Sequence, residues 1–110
     1  MYIYTFFKKK SKDKTIIASP TFIEAMLILR EINCMYKEEY DLRNYHLATV
    51  IDKDKYCQIL NIDEFYYSVP RIIYDEEYKK ILGKDVPNKK NNYLSFNTYL
   101  EETENEIAKA

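Results

Sequence analysis

The period of the hydrophobic positions changes several times along this chain, and each change marks an element. Residues 2–7, YIYTFF, form an aromatic and β-branched run with strand composition. The run stops at KKKSKDK, too charged to be buried, and resumes at TIIAS. Two short apolar runs around a polar loop predict a β-hairpin. From SPTFIEAMLILREINCMYKEE onward the spacing is helical: Phe22, Ala25, Met26, Leu29, Ile32 and Tyr36 share one face. Ser19 can cap, Pro20 suits the first helical position, and Glu24 stands three residues after Thr21. A helix over about 20–39 follows. Each large side chain it buries contributes about 1.5–3 kcal/mol.

The same helix carries a second apolar flank, Ile23, Leu27 and Cys34, with Ile28 and Met35 further round. A helix apolar on two sides must be covered on two sides. One cover is the sheet; the other is expected from the C-terminal segment or a second copy of the chain.

Residues 44–51 alternate, with Tyr45, Leu47, Thr49 and Ile51 on one face and His46, Ala48 and Val50 on the other. This is strand periodicity. DKDK (52–55) reads as a turn and YCQIL (56–60) as the returning strand of a hairpin. DEFYYSVPRIIY (63–74) is expected to be extended, with Pro70 at a sheet edge or exit. DEEYKKIL then predicts a short helix over about 75–82, capped by Asp75 and closed by Gly83. GKDVPNKKNN is linker-like. Beyond it Phe96, Tyr99, Leu100, Thr103 and Ile107 recur at helical intervals, predicting an amphipathic helix over about 95–108. The fold expected is α+β: a small, mainly antiparallel sheet on one long helix. It divides into a domain over 1–87, a linker over 88–94 and an acidic tail over 95–110. Phe96, Tyr99, Leu100 and Ile107 are the tail's candidates to cover Ile23, Leu27 and Cys34, in one chain or across a homodimer.

Composition narrows the function classes. At 110 residues and 46% apolar, the chain suits one modest core. Its single glycine, Gly83, excludes a glycine-rich phosphate loop. The net charge of −1 hides a polarity. Residues 1–18 hold five lysines and one aspartate; residues 95–110 hold four glutamates and one lysine. Cys34 and Cys57 follow no apolar leader, so both are expected to be reduced, buried thiols in a cytoplasmic protein. No apolar run approaches the ~20 residues needed to cross a bilayer, so no membrane partner is expected.

Candidate chemistry is thin. His46 is expected on a solvent-facing strand position; a Cys–His pair with Cys57 across a hairpin is the reactive alternative. Two cysteines and one histidine fall short of a four-ligand zinc site. Asp52 and Asp54 begin like a calcium loop, but Cys57 stands where the glycine is needed. Adjacent acid pairs such as Glu38–Glu39 point apart. No cofactor, metal site or enzymatic activity is expected. Two binding modes remain. Lys8, Lys9, Lys10, Lys12 and Lys14 would meet the phosphates of a single-stranded nucleic acid while Tyr2, Tyr4 and Tyr45 stack bases. Alternatively, the twelve tyrosines and the second helix flank serve a protein interface, such as inhibition of a host factor or defence system.

One family has a similar order of elements over about residues 1–55. Tyr2, Tyr4 and the lysines form its opening; Pro20, Phe22, Glu24, Ala25 and Arg30 match its helix; Asp41, Tyr45, Leu47, Ala48, Val50 and Asp52 match its strand. In these the chain resembles the small non-structural protein of gokushovirus-type microviruses, which are single-stranded DNA phages. The resemblance implies a phage protein acting in genome replication or packaging and binding single-stranded DNA.

Overall fold

The computed structural model describes residues 1–92. The expected tail helix, with Phe96, Tyr99, Leu100 and Ile107, lies outside the described residues. Strands β1 (Tyr2–Lys8) and β2 (Lys14–Ser19) form the expected hairpin around the lysine-bearing loop. Helix α1 (Phe22–Tyr36) then crosses one sheet face to β3 (Tyr40–Thr49), which pairs antiparallel with β1. Helix α2 (Lys53–Leu60) and a 3-10 turn (Glu64–Tyr66) lead across the other face to β4 (Arg71–Ile73), antiparallel to β2. Helix α3 (Asp75–Leu82) follows. The strand order is β3-β1-β2-β4, so β3 and β4 are the two edges. The α+β class and antiparallel sheet match the expectation.

The layering does not. One helix on one sheet face was expected; both faces are covered. Successive side chains of a strand point to opposite faces. Tyr4, Phe6, Ile17 and Tyr45 pack against Phe22, Ala25 and Leu29 of α1. Ile3, Ile16, Ala18, Ala48 and Ile73 pack against Tyr56 and Cys57 of α2 and Tyr78 and Ile81 of α3. The second helical layer exists because residues 56–60 are helical, which corrects the strand expected there. Asp52, expected in a turn, caps α2 by accepting a hydrogen bond from the Lys55 amide at 3.0 Å. Tyr56 and Leu60 then fall four apart on one side. A five-residue run with four apolar positions fits either period, and the cap decides it.

Several boundaries shift. The cap of α1 is Thr21, whose hydroxyl accepts from the Glu24 amide at 3.2 Å; Ser19 instead holds Thr21, and Pro20 precedes the helix. The core stripe of α1 is Phe22, Ala25, Met26 and Leu29, with Ile32 half-buried, but Tyr36 is exposed in the last turn. Asn33 closes that end: its side chain donates to the Tyr40 carbonyl and accepts from the Tyr40 amide, both at 3.0 Å. Lys37 takes a left-handed backbone there. Pro70 does precede an edge strand, though β4 has only three residues. Helix α3 matches its expected span, but Asp75 is its first residue and Tyr74, not Asp75, is the N-cap; Glu77 accepts from the Tyr74 amide there, and Gly83 supplies the left-handed residue at the other end.

Candidate functional site

The lysine-bearing end of the sheet is built by the β1–β2 loop, the start of β3 and the segment 87–90. Lys8 turns inward. Its ammonium donates to Glu38, lies 3.5 Å from Asp13 and sits 5.1 Å over the Tyr40 ring. The Glu38 hydrogen bond is the main cause of its raised pKa. Burial chiefly raises the Tyr40 phenol. Lys9 lies 3.9 Å from Asp41. Lys14 donates to the Pro87 carbonyl at 3.2 Å and to Asn88 Oδ1 at 3.4 Å. Among the described residues, Lys10 and Lys12 pair with no carboxylate. The five candidate lysines therefore divide, and they do not form one basic finger.

The candidate stacking tyrosines divide too. Tyr4 is 5% exposed and Tyr45 3%. They belong to an aromatic cluster beneath α1, with ring centroids 5.7 Å apart and Phe22 5.3 Å from Tyr45. Neither ring has a free face for a base, which corrects their place in a stacking platform. Tyr2 is partly exposed, but it lies at the opposite end of β1 from Lys8, about 20 Å away at the ~3.3 Å rise of a strand.

Besides Tyr2, Leu47 and Ile51, which are exposed on β1, on β3 and just after β3, large apolar side chains lie in solvent in two groups. On α1, Leu27 is 49% exposed and Cys34 and Met35 are exposed, while Ile23 is half-buried. The described residues leave Leu27, Cys34 and Met35 of that flank uncovered, and Cys34 is not the buried thiol expected. Around the 3-10 turn and β4, Phe65 is 83% exposed and Tyr74 72%, with Tyr66, Val69 and Ile72 also exposed. The Arg71 guanidinium donates to the carbonyls of Tyr66 (2.8 Å) and Val69 (3.3 Å), tying turn to strand. The opposite edge is sealed. Asn91 bonds through its side chain to the Leu47 amide and carbonyl, at 2.6 and 3.0 Å, and through its backbone amide to the Tyr45 carbonyl. Asn92 accepts from the Tyr45 amide and donates to the Arg43 carbonyl. Asn88, Asn91 and Asn92 lay in the stretch read as a linker. Its run of amide side chains is the only local sign of this role.

The reactive pair is not assembled at His46 Nδ1, which is buried without a hydrogen-bond partner among the described residues. His46 is half-buried rather than solvent-facing, and burial, then the Lys84 charge, lowers its pKa. Both cysteines are free thiols, and Cys57 is buried as expected. Among the described residues no three His, Cys, Asp or Glu side chains group to hold a metal, and no helix is long and apolar enough to cross a membrane. No family model matches this chain, nor does any curated protein or solved structure.

Proposed function

We propose that this protein is a non-enzymatic binding module whose main partner is another protein, engaged through the apolar edge of the 3-10 turn and β4. One observation carries this reading. Of the ten residues from Phe65 to Tyr74, five are large apolar side chains that stand in solvent. Exposed apolar groups gathered in one place mark interfaces, and rigid aromatic rings are enriched there. The contrast between the two sheet edges supports it. The β3 edge is closed by Asn91 and Asn92, whereas the β4 edge keeps Ile72 and Tyr74 outward. With Pro70 before it and only three residues, β4 offers few backbone groups, so side chains would dominate the contact.

The single-stranded DNA reading keeps less support. Its stacking surface is taken up by α1, and Lys8 and Lys9 are turned toward acids. It rests on the remaining lysines, as does the phage-replication role implied by the gokushovirus resemblance. The test uses the full chain with a photo-crosslinking residue at Phe65, and at Lys79 on α3 as control, in cells that express it. A protein adduct from position 65 is expected. Unlabelled wild type should compete it away, and an Ile72→Ser/Tyr74→Ser chain should not. Equal adducts at both positions, or none at 65, refute the proposal. A labelled oligonucleotide at about 25 and 200 mM salt provides the other arm: tight binding that falls steeply with salt would shift the conclusion to nucleic acid.

A further inference from the structure

Two clefts flank the end of the β1–β2 hairpin, and their charges differ. The larger, about 520 Å³, mixes Lys8, Lys9 and Lys10 with Asp13, Glu39 and Asp41, so it is largely self-neutralised. The smaller, about 290 Å³, is lined by Lys12, Lys14, Lys90, Ser11, Asn44 and Asn88, with Lys8 and Phe7. Among the described residues no carboxylate lines it. Its residues come from three separate stretches of chain, which only the fold brings together.

We propose that the smaller cleft is an anion site that takes a phosphoryl group, in the size range of phosphate to diphosphate. The size follows from the volume, which sits at the low end of ligand pockets, ~300–1,000 Å³. The charge follows from the inventory: Lys12, Lys14 and Lys90 are cations with no carboxylate partner among the described residues. Lys8 adds little, because Glu38 and Asp13 already hold it. Lys14 is pre-positioned. The Pro87 carbonyl and Asn88 Oδ1 occupy two of its ammonium protons and leave the third to donate. Fixing that side chain before the ligand arrives lowers the entropic cost of binding. Ser11, Asn44 and Asn88 add neutral donors, the mixture that phosphate oxygens accept from. The site does not depend on the apolar edge or on stacked bases.

The phosphoryl group can belong to a free polyphosphate or to a nucleic-acid backbone, and one titration separates the two. The full chain, labelled with ¹⁵N, is titrated with pyrophosphate and separately with a short oligothymidylate, at about 25 and 200 mM salt. Pyrophosphate is expected to move the amide signals of residues 11–14, 44 and 88–90. Lys12→Ala/Lys90→Ala is expected to weaken binding roughly tenfold, or about 1.4 kcal/mol. Lys79→Ala/Lys80→Ala removes the same charge from the exposed face of α3 and should leave affinity unchanged. If the oligonucleotide moves the same signals and displaces pyrophosphate, the source is a nucleic-acid backbone; if not, it is a free polyphosphate. Absence of shifts at these residues up to about 10 mM pyrophosphate at low salt, far weaker than ~1 mM affinity, overturns the proposal. Equal loss in both double variants does too, since it would reduce the effect to net charge.

Discussion

Removing a polar group from the core of this protein should stabilise it. Tyr78 lies on α3, packed against the sheet, with none of its surface exposed. Its hydroxyl is buried without a hydrogen-bond partner among the described residues. An unmade hydrogen bond of this kind costs about 1–3 kcal/mol, because the hydroxyl gave up water and received nothing. Tyr78→Phe removes the oxygen and keeps the ring. Offsetting this is the small void the oxygen leaves, so the net gain is set near the lower bound, about 1 kcal/mol. For a domain of this size that raises Tm by about 4–8 °C. The assay is thermal unfolding followed by circular dichroism, with urea titration to check that the slope is unchanged. Tyr74→Phe, on an exposed ring, is the control and should leave Tm in place. A fall in Tm for Tyr78→Phe would refute the reasoning. It would mean that the hydroxyl is bonded after all, with a buried water as the obvious partner.

Further outcomes follow from other parts of the fold. Burial pushes the Tyr56 phenol up to about 12, against an ordinary value of 10, so the folded state resists its ionisation. Its contribution is fully present below pH 10 and is lost as pH rises toward 12, by up to roughly 3 kcal/mol; urea titrations should show that loss in wild type and a shallower one in Tyr56→Phe. Asn33→Ala deletes both bonds to Tyr40 that close the α1–β3 turn, and should cost about 1–3 kcal/mol in urea unfolding, with Asn33→Asp intermediate because it keeps the acceptor. Asn91→Ala/Asn92→Ala uncovers the backbone of β3 from Arg43 to Leu47, so light scattering should report concentration-dependent association; a variant as monodisperse as wild type would show that the asparagines do not protect that edge.

Local patterning determined a good deal of this protein. The hairpin of β1 and β2, the body of α1, the strand character of 44–49 and the span of α3 all follow from period and a single glycine, because each depends on neighbours within a few residues. Where two periods fit a short run, as at YCQIL, the pattern could not choose; the Asp52 cap chose, and with it the second helical layer. The functional surfaces were less legible. Tyr4 and Tyr45 read as exposed stacking rings because aromatic strand residues look alike from either face, and only α1's position shows that they are core. Lys8 and Lys14 are neighbours in a basic run, yet one turns to Glu38 and the other to Asn88, partners 30 and 74 residues away. Charge counted along a chain says how many cations exist. Which of them remain free to meet a ligand is decided by what the fold brings beside each one, since an ammonium already paired with a carboxylate has little field left to offer.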